Sequence, residues 1–352
     1  MKNGMGSLLL ALIAFLLTVP MGAPAQQPKT VEGGLPWAYG FATPAPLAPA
    51  PAPTPGAGAA AAPAAPAEDR DSIRHLPGTT AAFAIKQIDD NYGPADWYPS
   101  DHPNMPGIVA HGEKPNVPAC GFCHYPNGKG RPNNAGPAGL PAAYILQQIQ
   151  DFRDGARKSW DPRKRNTSQM IAIAKGVSDE DAKAAAEYFA SMKWTPYTKV
   201  VETATVPKAK FVGGGGGLDM PLKEPEAGME PIGNRIVEVP VNPEDTEPMR
   251  DPRSGFIAYV PIGSIAKGEE LATHGGNGKT IACAACHGVG LKGNENIPSL
   301  AGRSPSYLAR QLLDIQHYTR NGPGAQTMRP IVQHLNDEDI LDITAYVSSL
   351  NP

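Results

Sequence analysis

Two short runs of the chain each place two thiols and one imidazole within five residues. They are Cys120-Gly-Phe-Cys123-His124 and Cys283-Ala-Ala-Cys286-His287. Two thiols at this spacing can add across two vinyl groups on one edge of a haem, while the adjacent imidazole binds the iron from one face. The pattern therefore predicts two covalently attached haem c groups, and the predicted binding residues are Cys120, Cys123, His124, Cys283, Cys286 and His287.

Two other uses of these residues stay open. Four cysteines in an exported chain can form two disulfides, and Cys-x-x-Cys is also half of a zinc site. Disulfides would leave both histidines without a role, and zinc would need partner ligands at a similar spacing. Haem attachment accounts for all six residues and is the favoured interpretation.

A methionine at the same place after each motif can complete the coordination of the iron. Met170 and Met328 are predicted to lie in an extended stretch before the last helix of each copy. A thioether suits iron and raises its reduction potential relative to a second histidine. One methionine is more often core filler, but two in register favour iron ligands. The alternatives are His102 and His111 for the first haem, and His317 and His334 for the second.

The iron-binding imidazoles also need an acceptor for their second ring nitrogen, usually a backbone carbonyl. For His287 a plausible source is Pro298. Ala135 stands at the corresponding place after His124 and can offer the same group.

The two motifs belong to an internal repeat, because aligning Cys120 with Cys283 aligns further residues without a gap. The aligned pairs are Tyr144 with Tyr307, Gln148 with Gln311, Asp151 with Asp314, and Arg157 with Arg320. The paired arginines and tyrosines can bind haem propionates. Equally, they can be ordinary surface arginines and core tyrosines.

Helix signals recur in both copies. Ser304 and Pro305 favour a helix start, and the last helix of each copy begins at Ser178 or Asn336, followed by three acidic residues that suit the positive helix end. Apolar stripes with helical spacing follow each cap, and no run alternates like a strand for long. The predicted fold class is therefore all-α.

Composition divides the rest of the chain. Residues 1–25 are predicted to be a signal peptide, with an uncleaved anchor as the alternative, so the protein is placed outside the cytoplasm. Residues 26–70 are an Ala/Pro-rich linker, 71–200 a first domain, 201–262 an irregular interdomain strap and 263–352 a second domain. The net charge of −3 gives no support for nucleic-acid binding.

A basic run in the first domain can form a docking face for an acidic redox partner, although such a run is more often a solvated loop. Its members are Arg153, Arg157, Lys158, Arg163, Lys164 and Arg165.

The duplicated motif, the Tyr-bearing helix, the single methionine and the acid-capped last helix resemble dihaem class I cytochromes c of the cytochrome c4 type. The resemblance covers roughly residues 119–192 and 263–351. It implies two tandem class I cytochrome c domains facing each other, iron bound by His124 and Met170 and by His287 and Met328, and periplasmic electron transfer. Three features depart from the family: Tyr125 in place of the glycine kept at Gly288, the long interdomain segment, and residues 71–118.

The predicted function is shuttling of single electrons between redox partner proteins, namely a dehydrogenase, a bc-type complex or a terminal oxidase. An alternative is a cytochrome subunit of a membrane dehydrogenase or terminal oxidase complex. A dihaem peroxidase is disfavoured because it needs an iron with an open site, whereas each copy offers a methionine.

Overall fold

A computed structural model of the chain describes, apart from Met1, residues 34–42, 69–213 and 217–352. The described residues from Gly34 onward belong to one compact unit. The predicted signal peptide and most of the Ala/Pro-rich linker lie outside the described residues. Within the described ranges, no helix combines the length and apolar character needed to cross a bilayer.

Helices dominate both copies of the repeat. In chain order they are α1 Pro36–Tyr39, α2 Ile85–Ile88, α3 Gly107–Ala110, α4 Cys120–His124, α5 Ala142–Arg153, α6 Arg165–Gly176, α7 Asp179–Ala190, α8 Pro243–Thr246, α9 Ser264–His274, α10 Ala284–His287, α11 Pro305–Gln316, α12 Pro323–Val332 and α13 Asp337–Ser349. Short 3-10 turns cover Pro99–Asp101 and Val289–Leu291. The repeat pairs α4 to α7 with α10 to α13.

The predicted helix starts are confirmed. The Ser304 side chain accepts a hydrogen bond from the amide of Tyr307 at the start of α11. Ser178 accepts from the amide of Asp181, and Asn336 from that of Asp339. Each cap satisfies an amide that has no partner inside its helix, which contributes about 1 kcal/mol.

The predicted stripes of the last helices form the two cores. Ile340, Ile343, Thr344 and Val347 of α13 are buried, as are Ala182, Ala185, Ala186 and Phe189 of α7. Helix α9 crosses α13 so closely that a Cβ on Gly268 would lie 1.9 Å from the carbonyl oxygen of Asp342. Only glycine permits this approach.

The all-α prediction is wrong for the segment between the copies. A three-stranded sheet has the order β3-β9-β8, with β3 parallel and β8 antiparallel to β9. Two separate antiparallel pairs are formed by β4 with β7 and by β5 with β6. These strands are β3 Thr198–Glu202, β4 Thr205–Pro207, β5 Ala209–Val212, β6 Leu218–Pro221, β7 Met229–Pro231, β8 Val237–Pro240 and β9 Phe256–Val260. A further pair, β1 Ile73–His75 and β2 Ala82–Ala84, lies in residues 71–118.

The sequence contains little indication of these strands, because each is at most five residues long and an alternating pattern cannot be recognised over so few positions. Ladders this short depend on packing against the rest of the fold. In β8 all four residues are buried, including Glu238. Burial therefore does not alternate along this strand, and the usual signal of a half-buried strand is missing.

The N-terminal described segment packs on the second copy. Leu35, Trp37 and Tyr39 are buried in the core that contains α11 and α13. The Tyr39 hydroxyl donates to Asp314 Oδ1 at 2.8 Å, and Arg310 donates to the carbonyl of Ala38. Complete burial of each large apolar side chain contributes about 1.5–3 kcal/mol, so this short segment is held firmly.

Candidate haem sites

The first cavity, of about 550 Å³, gathers the first predicted site. Cys120, Cys123 and His124 enter it from α4, and Met170 enters from α6. Helix α5 adds Ile145, Ile149 and Phe152 to the wall. The sequence-predicted residues of the first copy therefore line a single, largely apolar space.

The second cavity, of about 510 Å³, repeats this arrangement. Cys283, Cys286 and His287 line it beside Met328 of α12, and α11 supplies Leu308, Leu312 and Ile315. None of the four cysteines is in a disulfide. Among the described residues, no group of three or more His, Cys, Asp or Glu is arranged to hold a metal ion.

Both methionines lie on helices, so the prediction of an extended stretch is wrong. Met170 lies within α6 and Met328 within α12, and both are half-buried. The helix signal was weak because α12 begins with Pro323 and Gly324 and contains Pro330, which are poor helix formers. Proline at the first position is tolerated, since its missing N–H would have no partner there.

The two imidazoles are oriented as predicted. His124 Nδ1 lies 2.8 Å from the carbonyl oxygen of Ala135, and His287 Nδ1 lies 2.9 Å from that of Pro298. A carbonyl oxygen can only accept, so Nδ1 carries the proton and Nε2 keeps its lone pair. Burial lowers the pKa of both imidazoles, which favours the neutral form that binds iron.

The alternative histidines lie outside both cavities. Both ring nitrogens of His102 are engaged, Nε2 with Asp96 at 3.1 Å and Nδ1 with the carbonyl of Pro103 at 2.8 Å. His317 stacks on Trp160 with ring centroids 4.7 Å apart. His111 and His334 are exposed. The geometry therefore favours the methionines.

Burial also favours the protonated form of three of the cysteine thiols, at least one in each motif. It raises the pKa of Cys120 to about 12 and that of Cys283 to about 11, and it raises the pKa of Cys123. An apolar, buried thiol is inert toward disulfide exchange. This counts against the disulfide alternative.

Several residues that line the cavities have a buried donor atom without a protein acceptor. These donor atoms include Nε of Arg131, which lines both cavities, and Nε of Arg320 and the hydroxyl of Tyr197, which line the second. A buried donor without a partner costs about 1–3 kcal/mol. Haem carries two carboxylates on one edge. The arginines in the lining, Arg131 and Arg157 in the first cavity and Arg131 and Arg320 in the second, suit that anionic edge, while the apolar walls suit the ring.

The paired arginines do more than the sequence indicated, because each crosses to the opposite copy. Arg157 donates to Tyr307 at 3.2 Å and to Gln311 at 2.9 Å. Arg320 donates to Tyr144 at 2.8 Å and to Gln148 at 2.9 Å. Each also donates within its own copy, Arg157 to Gln148 at 3.0 Å and Arg320 to Gln311 at 3.1 Å.

We call these six residues the arginine ladder: Tyr144, Gln148, Arg157, Tyr307, Gln311 and Arg320. The backbones meet there as well, since the amide of Lys158 donates to Thr319 O at 2.7 Å and that of Asn321 to Ala156 O at 2.6 Å. Burial opposes ionisation of Tyr307, but the two arginines outweigh it and lower its pKa. The gap-free alignment of these residues was the signal in the sequence, although alignment alone does not indicate contact.

The ladder forms a wall common to the two cavities. Tyr144, Gln148, Tyr307 and Gln311 line both of them. Groups bound in the two cavities are thus separated by one layer of side chains, which is an arrangement suited to electron exchange between them.

The basic run is largely used inside the protein. Arg153 donates to the carbonyls of Ala174 and Val177 and pairs with Asp179. Arg163 pairs with Asp161, and Lys164 is only 3% exposed. With Arg157 in the ladder, only Lys158 and Arg165 of the run are exposed. The predicted docking face is therefore not supported.

Comparison with known proteins agrees with this geometry. The family model described as Cytochrome c matches twice, at residues 109–193 and 265–351. Each match contains one Cys-x-x-Cys-His motif and the methionine that shares its cavity.

Three relatives illustrate the similarity. Cytochrome c-554(548) of Halomonas halodenitrificans is 43% identical over 75 residues, which is 21% of this chain and 90% of the relative. Cytochrome c4 of Pseudomonas aeruginosa is 26% identical over 238 residues, 66% of this chain and 84% of the relative. The thiosulfate dehydrogenase electron acceptor of Thiomonas intermedia is 25% identical over 240 residues, 67% of this chain and 80% of the relative. With the two cavities and the duplicated motif, these matches establish that the chain belongs to the cytochrome c family and is a dihaem electron-transfer cytochrome with two covalently bound haem c groups.

Proposed function

We propose that the protein is a periplasmic electron carrier in which His124 and Met170 bind one haem iron and His287 and Met328 bind the other. The observation that carries this proposal is that each cavity collects one motif and one methionine on corresponding helices of the repeat. Haem supplies a one-electron couple; the protein supplies orientation, exclusion of water and charge.

The residues of this chain have separable roles. The carbonyls of Ala135 and Pro298 hold the imidazoles with Nε2 available for iron. The apolar walls from α5 and α11 keep water away from the ring. Arg157 and Arg320 of the ladder add positive charge beside the cavities, which favours the reduced state.

Two methionine ligands leave no open coordination position, so the proposal favours a carrier over a peroxidase. A periplasmic dehydrogenase is the favoured donor, because one group of relatives is named for accepting electrons from thiosulfate dehydrogenase. A bc-type complex or a terminal oxidase is the other proposed redox partner, on the acceptor side. Membership of a membrane-bound complex is the alternative form of the same function.

The test begins with export and haem content. The protein from the periplasmic fraction should stain for haem on denaturing gels, and its intact mass should include two haems. Replacing Cys120 or Cys283 by alanine should weaken or remove attachment at one haem only. A chain without haem, or one carrying zinc, contradicts the proposal.

A further inference from the structure

The two haem-binding motifs occupy equivalent places in the repeat but differ in their surroundings. Around the first motif, Ala119 and Tyr125 are each 2% exposed. The guanidinium of Arg250 lies 3.9 Å over the ring of Phe122 and donates to the Phe122 carbonyl at 2.5 Å. The first motif is therefore covered on its outer side.

The cover comes from segments that have no counterpart in the second copy. The carbonyl of Asn91, in residues 71–118, accepts from the amide of Ala119 at 2.8 Å. From the interdomain segment, Glu247 pairs with Arg131 at 2.6 Å, and the Pro252 carbonyl accepts from Asn127 at 3.0 Å. Both segments, residues 71–118 and the long interdomain segment, are among the departures from the family pattern noted in the sequence.

The second motif has no such cover among the described residues. Ala284, Ala285 and Cys286 are exposed, Val289 is 94% exposed and Ile281 is 54% exposed. We call these five residues the second-motif face. Their counterparts in the first copy include Gly121 and Pro126, both buried. Because Ala284, Ala285 and Val289 do not line the cavity, a haem inside the cavity leaves them exposed.

Covalent attachment would bring a haem edge next to this face. Cys286 lines the cavity, whereas its neighbours Ala284 and Ala285 do not, so a haem attached to Cys286 would have one edge beside exposed residues that it does not cover. Cys123, its counterpart, is half-buried and follows Phe122, which Arg250 covers.

The second-motif face is also free of charge. Between Ile281 and Leu291 the sequence contains no Asp, Glu, Lys or Arg, and His287 is 7% exposed. The nearby Lys279 is paired with Asp339 at 2.5 Å. Cores of protein interfaces are depleted of charge and apolar, and exposed apolar patches mark contact sites.

The first cavity reaches the surface beside different groups. Its lining includes the exposed amides Asn91, Asn116 and Gln169. A protein that covered this opening would desolvate these amides, and each unpaired amide costs about 1–3 kcal/mol. The second-motif face carries no comparable cost.

We propose that the second-motif face docks a one-electron redox protein whose own cofactor is surrounded by an uncharged apolar surface, so that the second haem is the port and the first haem is reached through it. This inference rests on the proposed electron-transfer function. One electron passes from the partner to this protein, which is reduced as the partner is oxidised, and no bond is made or broken. Electrons then cross the wall formed by the arginine ladder.

The test uses the two-haem protein and a small blue-copper protein whose copper lies behind an uncharged apolar face. Stopped-flow absorbance gives the second-order rate constant for electron exchange. Val289→Glu and Ala285→Glu should each lower it about tenfold or more, since docking would bury an unpaired charge. Met229→Glu is the matched control, because Met229 is 58% exposed on β7; it should change the rate less than about twofold.

A second arm avoids dependence on these variants. A chain with Cys283→Ala and Cys286→Ala retains only the first motif. Its rate constant with the copper protein should be lower than that of the wild type by a factor of about ten or more. The wild-type rate should depend only weakly on salt, because the face lacks charge.

Three results overturn the inference: unchanged rates in both glutamate variants, fast reaction of the chain that lacks the second motif, or sedimentation showing that this face pairs two copies of the chain. Each result counts only if the intact mass of the wild-type protein shows that two haems are attached. A wild type without haem instead contradicts the proposed function.

Discussion

At the scale of single residues, the proposed ligands of each iron depend on one hydrogen bond, which orients the histidine, and on one helix, which places the methionine. The carbonyls of Ala135 and Pro298 fix the tautomers of His124 and His287. Helices α6 and α12 then carry Met170 and Met328 to the same cavities. The imidazole and the thioether enter from separate elements, so they can be altered independently.

We predict that Met328→Ala opens one iron to carbon monoxide and lowers the potential of that haem alone, and that Met170→Ala does so for the other. A thioether both stabilises ferrous iron and blocks its sixth position. The decrease should be on the order of 0.1 V, within the roughly 0.8 V range set by axial ligands. Potentiometric titration and carbon monoxide difference spectra measure both properties.

The control for this prediction is Met192→Ala. Met192 is 9% exposed in the core of the first copy and lines neither cavity. It should reduce stability while both haem spectra stay unchanged. If either ligand variant retains both potentials, that methionine does not bind iron.

Tyr125 combines strain with burial. It adopts φ 62°, where Gly288 adopts φ 76° at the equivalent position. A residue other than glycine pays about 1–3 kcal/mol in such a conformation. The ring is 2% exposed, and its buried hydroxyl has no hydrogen-bond partner. Packing of the ring therefore outweighs both penalties.

We predict that Tyr125→Phe stabilises the protein by about 1 kcal/mol, because it removes a buried hydroxyl without a partner. Tyr125→Gly should destabilise it by about 2 kcal/mol, because loss of the buried ring exceeds the relief of strain. Urea unfolding followed by haem absorbance measures both. A glycine variant more stable than wild type would show that strain dominates.

Residue chemistry was the most predictable level from sequence. The two motifs, the carbonyl acceptors and the methionines depend on local spacing and on the repeat, and both are visible in one chain. The covering of Phe122 by Arg250 was not predictable, because it joins residues far apart in a region with no counterpart in the second copy.

At the scale of elements, capping residues located the helices well, whereas the intervening strands were missed. Ser178, Ser304 and Asn336 have direct local signals in their side chains. The strands between the copies are short, and their pairs are brought together by the fold. Sheet β3-β9-β8, for example, joins Thr198 to Phe256.

One of these strands contains a half-buried acid. Burial raises the pKa of Asp219 in β6 from an ordinary value of 3.8 to about 7, although Arg235 opposes the shift. The unfolded chain releases this proton at lower pH than the folded protein. Stability from this group is therefore full below its unfolded pKa and falls as pH rises toward 7.

We predict that Asp219→Asn flattens the dependence of stability on pH between about 4 and 7 and stabilises the protein at pH 8 by a few kcal/mol, on the order of the linkage energy. Urea unfolding at a series of pH values measures this. Glu226→Gln is the control, because Glu226 is an exposed acid of the same segment; it should leave the profile unchanged. Equal profiles for wild type and Asp219→Asn would contradict the prediction.

At the scale of the whole molecule, the two copies are joined by contacts that obey the repeat. Arg157 and Arg320 each reach the tyrosine and glutamine of the opposite copy. The N-terminal segment adds a contact without such symmetry, since Tyr39 and the amide of Trp160 both donate to Asp314. The sequence indicated two modules but not this interface, because a repeat reports common descent and not which surfaces meet.

In the arginine ladder, each glutamine accepts hydrogen bonds from both arginines, so the effects of replacing the two arginines should depend on each other. The side-chain oxygen of Gln148 accepts from both arginines, at 3.0 and 2.9 Å, and that of Gln311 accepts from both, at 2.9 and 3.1 Å. Removing one arginine leaves each glutamine with one donor and also removes the repulsion between two like charges. Removing both leaves the side-chain oxygens of the buried Gln148 and the half-buried Gln311 without these donors.

We therefore predict that Arg157→Met and Arg320→Met each destabilise the protein by about 2 kcal/mol, and that the double variant costs more than their sum by about 1 kcal/mol. Urea unfolding gives the cycle, and hydrogen exchange at the amides of Lys158 and Asn321, which cross the interface, shows whether the copies separate. Exchange there should quicken in each single variant and most in the double variant. The exposed Arg165 provides the control Arg165→Met, which should change neither readout. Additive energies, with slow exchange retained in the double variant, would mean that other contacts hold the two copies together.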